Sequence, residues 1–320
     1  MRGVPMLDAT DFLLVNPWQR GFPLKPRPFR EIAQRSSLPE TQVVDRFIRL
    51  QRQGVIDRIG PVFRPNTVGA SSLAAMAVPP ERLEEVAAFV SEQRGVNHNY
   101  EREHRYNLWF VATGASAADV QWVLSCIEHG TGIAVLRLPL LEEFHIDLGF
   151  DLETGTAPRT AAPPPAGPLP EQERRLAAAV AGGLPLVEKP YEAVARELGL
   201  AEDEVLALLA KMLAEGRIRR IGAVIRHRRL GYDANAMAVW DVPDAEAAAV
   251  GRALARHPGV TLCYRRARAL PHWPYNLYCM VHGRERGEVL QTLTLMAVER
   301  FPGAVLFSTR CFNQRAARYG

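Results

Sequence analysis

The chain has 320 residues, of which 48% are hydrophobic and 23% charged, a composition typical of a soluble protein with two or more folded domains and not of a disordered one. Its 39 basic and 35 acidic residues give a formal charge of +4, which permits anionic ligands without identifying a nucleic-acid-binding protein. No apolar run approaches the ~18 residues of a membrane span, and the N-terminus lacks signal-peptide features. We therefore predict a cytoplasmic protein with no membrane partner.

The first predicted domain, residues 1–69, has the pattern of a winged helix-turn-helix. Apolar residues recur at helical spacing over residues 7–15 and 29–35. A third helix is predicted from Pro39, a residue type common at helix starts, to Gly54, a residue type common at helix ends. Two short β-rich pieces, VIDRIG and PVFRP, then flank Gly60 and predict a hairpin that forms the wing.

The second predicted domain, residues 70–150, alternates strands and helices. A strand in SSLAAMAVP is followed by a helix over residues 81–93, a strand from Val96 and a strand in YNLWFVATG. A helix over residues 117–128 and a strand in GIAVLRLPLLEEFHI complete the order βαββαβ. This order predicts a ferredoxin-like sheet with helices on one side, so that the other face of the sheet can meet a partner.

The second half of the chain repeats the first half. GVIDRIGPVFRPNTVG from Gly54 matches GRIRRIGAVIRHRRLG from Gly216, and PFREIA matches PYEAVA at the same separation along the chain. NYERE then matches CYRRA, and YNLWF matches YNLYC after an insertion near RALPHWP. Two spaced matches in one register indicate a tandem duplication.

The complete prediction is an α+β protein in which a winged helix-turn-helix and a ferredoxin-like domain occur twice. Residues 151–170, rich in Pro and Ala, form a semi-rigid linker. Residues 171–231 form the second winged helix and residues 232–320 the second ferredoxin-like domain. We expect the two halves to pair within one chain. Whether two such chains also form a homodimer stays open.

One stretch, NHNYEREHRYNLWF at residues 97–110, has a composition unlike that of a core strand. If the stretch is extended, alternate side chains share a face. One face then carries five cationic or aromatic side chains, namely His98, Tyr100, Arg102, His104 and Tyr106. The opposite face is polar and mostly acidic. A row of this kind is suited to binding a flat anionic molecule.

The order of winged helix and βαββαβ domain resembles the Lrp/AsnC family of regulators. HNYEREHRYNLWF and CYRRARALPHWPYNLYCMVHG resemble the signatures of the siroheme decarboxylases, an Lrp/AsnC-like enzyme family. The resemblance covers nearly the whole chain and implies that the two halves correspond to the two subunit types of that family, here fused. It also implies a carboxy-lyase that removes two acetate carboxyls from siroheme to give didecarboxysiroheme, in heme d1 or alternative heme biosynthesis. No cofactor is expected beyond the iron that siroheme itself carries.

Pyrrole acetate decarboxylation needs a carboxylate anchor and a proton donor. An arginine guanidinium binds a carboxylate bidentately, and histidine has an ordinary pKa near working pH, which suits a general acid. The candidate catalytic residues are His98, Tyr100, Arg102 and His104. The candidate substrate-binding residues are Tyr264, Arg265, Arg266, His272 and Trp273 in the second half, and Trp109 in the first half. The two tryptophans could equally fill a core, and a histidine could ligate the substrate iron instead of donating a proton.

Two other functions fit parts of the sequence, namely an Lrp/AsnC-type DNA-binding regulator that senses a small molecule and a tetrapyrrole carrier without catalysis. The second recognition helix, within AEDEVLALLAKMLAEG, is acidic and would repel a duplex, so we do not expect DNA as a partner. The first recognition helix is ambiguous, because it carries Arg46, Arg49 and Arg52 beside acidic residues. Four cysteines far apart indicate reduced thiols and no metal site.

Overall fold

The structure is a computed structural model that describes residues 7–146, 149, 151–154, 167–296, 298 and 300–316. Most of the predicted linker over residues 151–170 lies outside these ranges. The chain divides into two units by domain type, since one unit contains the winged helices of both halves and the other contains the ferredoxin-like domains of both halves. Among the helices in the described ranges, none has the length and apolar composition that a membrane crossing requires.

The helices and strands follow the predicted order in each half. The first half contains α1 (Ala9–Val15), α2 (Pro28–Ser36), α3 (Glu40–Arg52), β1 (Ile56–Phe63), β2 (Ala70–Met76), α4 (Leu83–Glu92), β3 (Val96–Arg102), β4 (Leu108–Gly114), α5 (Ala117–Thr131) and β5 (Val135–Ile146). The second half contains α6 (Glu171–Val180), α7 (Pro190–Leu198), α8 (Glu202–Ala214), β6 (Ile218–Ile225), β7 (Ala234–Trp240), α9 (Asp244–Leu254), β8 (Val260–Arg266), β9 (Leu277–Gly283), α10 (Arg286–Leu295) and β10 (Gly303–Gln314). The predicted fold class is confirmed.

The wing differs from its prediction. VIDRIG and PVFRP do not form a hairpin, because β1 runs straight through Gly60 and pairs antiparallel with β6 of the second half. Gly60 and Gly222 are register partners in this two-stranded sheet. A Cβ at Gly222 would lie 2.2 Å from the Gln19 carbonyl oxygen, so the glycine permits a close approach of two backbones. The motif that looked like a turn is therefore the contact between the two winged helices.

A buried carboxylate links the first helix to the recognition helix in both winged helices. Asp11 of α1 is 2% exposed and accepts hydrogen bonds from Arg46 at 2.7 Å and Arg49 at 2.6 Å. Glu173 of α6 is 1% exposed and accepts from Lys211 of α8 at 2.8 Å. These cations of the recognition helices are thus paired inside their own domains.

In the described part of the other unit, eight strands form one closed barrel in the order β10-β3-β4-β2-β5-β8-β9-β7. β5 and β10 are long strands that join the two halves. The first part of each pairs within its own sheet, β5 with β2 and β10 with β7. The second part of each pairs with the other half, β10 with β3 and β5 with β8. We call β3·β10 the first seam and β5·β8 the second seam. The expected pairing of the halves within one chain is confirmed.

Each sheet of the barrel has an outer face under helices and an inner face toward the other sheet. The outer faces pack on α4 and α5 in the first half and on α9 and α10 in the second half, around two apolar cores. The inner faces meet in a third core that includes Trp109, Leu138, Tyr264, Trp273 and Tyr278. The face that the sequence left for a partner is therefore covered by the other half.

Opposite charges face each other across both seams. On the outer side of the first seam, Glu101 is the register partner of Arg310, and their side chains form an ion pair at 2.5 Å. At the equivalent place in the second seam, Glu142 is the register partner of Arg265. The sign of the charge on each strand is thus inverted between the two seams.

Candidate active site

The inner face of β3 carries the first three residues of the predicted row. His98 and Tyr100 are half-buried and their ring centroids lie 6.3 Å apart at an interplanar angle of 19°. The guanidinium carbon of Arg102 lies 5.8 Å from the Tyr100 ring centroid. The structure therefore brings these three side chains together along one strand.

The outer face of β3 explains why the strand has this orientation. Asn99 is fully buried under α4 and donates hydrogen bonds from its side-chain amide to the Ala87 carbonyl and the Ser91 hydroxyl, both at 3.0 Å. Because a buried amide requires such partners, the odd-numbered residues are held against the helix. The even-numbered residues must then face the interior of the barrel.

Arg102 has a fixed position on this face. Its side chain is buried, with 7% of the residue exposed, and Nη1 donates to the Leu306 carbonyl of β10 at 3.0 Å. Its Nη2 lies 4.0 Å from the Met280 sulfur. A guanidinium held in this way places a permanent positive charge in surroundings of low dielectric constant, where it attracts a carboxylate more strongly than it would in water.

The prediction that His104 and Tyr106 continue the strand face is wrong. β3 ends at Arg102, whose backbone N–H donates to the Asn107 carbonyl at 2.8 Å and closes a short hairpin loop. The loop nevertheless directs both rings toward the inner core, since Tyr106 is buried and His104 packs edge-on against Trp273 with centroids 5.4 Å apart.

The hydrogen bonding of His104 defines its protonation state. The Tyr106 backbone N–H donates to His104 Nδ1 at 3.0 Å, so Nδ1 is an acceptor and the neutral ring carries its proton on Nε2. Burial lowers the pKa of His104 and the charge of Arg105 lowers it further, which also favours the neutral form. In this geometry the ring is a hydrogen-bond donor at Nε2. Iron ligation by Nε2, or a doubly protonated ring, would require the contact with Tyr106 to open.

The second half repeats the Tyr–Arg arrangement on β8. Tyr264 is buried and stacks on Tyr278 with centroids 5.6 Å apart, and the Arg266 guanidinium carbon lies 4.5 Å from the Tyr264 centroid. Arg266 Nη1 donates to the Leu138 carbonyl of β5 at 2.8 Å, as Arg102 does to a carbonyl of β10. The two Tyr–Arg pairs are related by the internal repeat.

Two predicted substrate-binding residues lie apart from the inner face. Arg265 alternates with Tyr264 and Arg266, so it lies on the outer face, where it pairs with Asp244 at 2.8 Å. His272 is exposed in the loop between β8 and β9. The sequence analysis grouped these residues with Tyr264 because they are close along the chain. In the structure, strand alternation places Arg265 on the other face of the sheet, and the loop places His272 away from it.

Trp109 and Trp273 belong to the inner core. They are 2% and 1% exposed, and their ring centroids lie 5.0 Å apart. Trp109 Nε1 donates to the Tyr106 carbonyl and Trp273 Nε1 donates to the Tyr278 hydroxyl, both at 2.7 Å. Their N–H groups are therefore satisfied within the protein, and the indoles support the loop that holds His104.

Four residues of the inner face were absent from the sequence prediction. Cys311 and Gln314 of β10 are the register partners of Tyr100 and His98 in the first seam, and Glu143 and Ile146 of β5 are those of Tyr264 and Leu262 in the second. No local pattern marks them, because their position depends on a strand from the other half. Within the described ranges, no three His, Cys, Asp or Glu side chains converge as metal ligands.

Comparisons with known proteins match nearly the whole chain. Residues 68–145 and 229–313 match the AsnC-like ligand binding domain, and residues 11–56 and 173–219 match the siroheme decarboxylase NirDL-like HTH domain. The siroheme decarboxylase NirDL subunit of Paracoccus denitrificans (strain Pd 1222) is 44% identical over 97% of both chains. The NirD subunit of the Stutzerimonas stutzeri enzyme is 47% identical over 46% of this chain and 96% of its own. A crystal structure of the siroheme decarboxylase NirDL in complex with an iron-uroporphyrin III analogue is 31% identical, with a TM-score of 0.68 over 98% of this chain and 94% of that chain.

Proposed function

Because the chain belongs to the siroheme decarboxylase family, we propose that it removes carboxyl groups from siroheme as carbon dioxide and that His98, Tyr100, Arg102 and His104 carry this reaction. The observation that supports these roles is the row of His98, Tyr100 and Arg102 on the inner face of β3, with His104 in the loop that follows. The product of two such steps on acetate groups is didecarboxysiroheme, an intermediate in heme d1 or alternative heme synthesis.

Binding rests on charge and on flat aromatic surfaces. Siroheme carries many ionised acetates and propionates, which a buried arginine attracts. Arg102 is the anchor because its position is fixed by the Leu306 carbonyl. The half-buried rings of His98 and Tyr100 provide flat aromatic surfaces beside this charge.

The reaction converts a pyrrole –CH2–COO⁻ group into –CH3. Loss of CO2 leaves an electron pair on the methylene carbon, and one proton must be added there for each CO2 released. Protonation of the tetrapyrrole ring provides an electron sink before the carbon is protonated. His98 is suited to proton donation, and Tyr100, whose ring stacks on it, can orient a carboxylate or relay the proton.

The sequence suggested His104 as a general acid, whereas its hydrogen bonding suits it to the role of a hydrogen-bond donor. Its Nε2–H can donate a hydrogen bond to a substrate carboxylate or to the negative charge that develops as CO2 leaves. Acting as a general acid would require the ring to take a second proton at Nδ1, where the Tyr106 N–H already points. We propose that the reaction needs no added cofactor, since the iron arrives with the substrate, and that it takes place in the cytoplasm.

Anaerobic incubation of the purified protein with siroheme, followed by mass measurement of the product, tests this function. Loss of two CO2 units is the expected result. Siroheme that stays bound and unchanged would indicate a carrier and would contradict the proposal. The variant Arg105→Gln is a matched control for the loop, because Arg105 is exposed beside His104, and it should keep most of the activity.

We also propose that the winged helices act as a scaffold and not as a DNA reader. Arg46 and Arg49 are paired with Asp11, and β1 and β6, which would provide the wings, pair with each other. Fluorescence anisotropy with a labelled duplex at physiological salt should therefore show negligible binding. Tight, sequence-specific binding to a promoter fragment would contradict this assignment.

A further inference from the structure

The loop that connects β3 to β4 and the loop that connects β8 to β9 close in the same way. In the first, the Arg102 backbone N–H donates to the Asn107 carbonyl at 2.8 Å. In the second, the Arg266 backbone N–H donates to the Asn276 carbonyl, also at 2.8 Å. The next residue of each loop donates its backbone N–H to a long strand of the other half, β10 in one case and β5 in the other. The two loops are therefore equivalent parts of the internal repeat.

The second loop is longer than the first, since it has nine residues (267–275) where the first has four (103–106). We call them the long loop and the short loop. The extra residues make a tight turn, in which the backbone groups of Ala269 and Trp273 bond to each other in both directions at 2.9 Å. Leu270 is 69% exposed at this turn, whereas Trp273 is 1% exposed and belongs to the inner core. The insertion thus delivers one large side chain to the interior of the barrel.

The Trp273 indole lies against both rings of the short loop. It meets His104 at a centroid distance of 5.4 Å and Tyr106 at 5.9 Å, each at an interplanar angle of 88°. The two rings of the short loop are nearly parallel, at 17°, with centroids 6.1 Å apart. Perpendicular contacts of this kind are a favoured arrangement of aromatic rings. A side chain of the second half therefore forms a wall against the histidine loop of the first half.

The position of this indole is itself fixed. Trp273 Nε1 donates to the Tyr278 hydroxyl at 2.7 Å, and the indole also packs on Trp109 and Tyr275 with centroids 5.0 and 4.9 Å away. Because a buried indole N–H requires a hydrogen-bond partner, rotation of the ring would break this bond. Trp273 is consequently held in the orientation in which it faces His104.

His104 needs this support because its hydrogen bond fixes only one side of the ring. The Tyr106 backbone N–H holds Nδ1 at 3.0 Å, and a ring held at one atom can still tilt. Among the described residues, the rings in contact with His104 are those of Tyr106 and Trp273. The indole therefore restricts the tilt, and with it the direction of the Nε2–H bond. A displacement of about 1 Å in a reacting group can lower a rate by roughly 10²-fold.

We propose that Trp273 is a positioning residue for decarboxylation, which acts by holding the His104 ring in the orientation that directs Nε2–H toward the substrate carboxylate. This inference rests on the proposed function. It assigns different tasks to the two equivalent loops, since the short loop carries the histidine and the long loop carries the side chain that orients it. The first half then cannot reach its full rate without the insertion of the second half.

A double-mutant cycle separates positioning from a general role in the core. The rate of single-turnover decarboxylation of bound siroheme is measured anaerobically for Trp273→Leu with and without His104→Ala. We expect Trp273→Leu to lower the rate at least ~10-fold when His104 is present and by less than about two-fold when it is absent. Siroheme affinity in absorbance titration should change by less than about three-fold, since the buried indole offers no surface to a ligand. Equal losses of rate with and without His104 would overturn the proposal, because Trp273 would then act independently of the histidine.

Trp273→Phe is a milder change that decides the question if the leucine variant does not fold, as judged by circular dichroism. The smaller ring keeps an aromatic contact but cannot span both His104 and Tyr106 as the indole does. Its rate should fall by about three-fold or more, less than that of the leucine variant, and the loss should again disappear in the His104→Ala protein. A Trp273→Phe protein as fast as the unmodified one would contradict the positioning role.

Leu270→Ala is the matched control within the long loop, because Leu270 is exposed, and it should keep both the rate and the affinity. If the unmodified protein converts siroheme and both Trp273 variants convert it equally fast, the proposed function stands and this inference fails. A purified protein that releases no CO2 from bound siroheme would refute both.

Discussion

Replacing His104 by alanine is the substitution that best separates binding from catalysis. We expect His104→Ala to lower the rate of siroheme decarboxylation by roughly 10²-fold and to leave siroheme affinity largely intact. The lost group is an Nε2–H donor, and a hydrogen bond to an ionised partner contributes about 1.5–3 kcal/mol, or roughly 10- to 150-fold in rate. Affinity should persist because the Arg102 guanidinium, which donates to the Leu306 carbonyl and not to the His104 side chain, provides the fixed charge.

The assay combines single-turnover decarboxylation, followed by product mass, with absorbance titration of siroheme under anaerobic conditions. His272→Ala is the internal control, since His272 is the exposed histidine of the corresponding loop in the second half and its removal should change the rate by less than about two-fold. Similar losses in the two variants would refute the assignment of the reaction to His104 and its neighbours in the first half. A His104→Ala protein that binds siroheme far more weakly, yet converts the bound fraction at the normal rate, would identify His104 as a ligand of iron or carboxylate.

Three further predictions concern single side chains. Arg102→Lys keeps the charge but loses the planar fork, so siroheme binding should weaken by about 10-fold or more in absorbance titration while some turnover remains; unchanged affinity would contradict the anchor role. Burial lowers the pKa of His104 below its ordinary 6.5, so the unfolded chain binds more protons than the folded chain just below that pH. The stabilisation that His104→Gln removes should therefore shrink as the pH falls through that window. Urea unfolding at several pH values measures this change in the free energy of unfolding. Gly222→Ala should lower the melting temperature more than Gly60→Ala, because the added Cβ would lie 2.2 Å from backbone at Gly222 and 3.1 Å at Gly60; equal shifts would show that the backbone there relaxes freely.

The sequence predicted the domain types and the pairing of the halves because both follow from local patterns and from the repeat. It failed where a contact joins distant segments. Gly60 resembled a turn residue, but it lies within a strand that approaches the other winged helix. The row from residue 98 was extended beyond Arg102 because alternation does not mark where a strand ends. Cys311 and Glu143 were missed because their neighbours are set by the register of a strand from the other half.

The inverted charges of the two seams determine which chains can form a barrel. If two first halves were to pair, Glu101 would face Glu142 at both seams, and two second halves would bring Arg265 against Arg310. Like charges directly opposite each other destabilise an antiparallel strand pair, so both self-pairings are disfavoured relative to the mixed one. These four side chains therefore specify a one-to-one complex of unlike halves, and synthesis as a single polypeptide supplies the halves in that ratio at a high effective concentration.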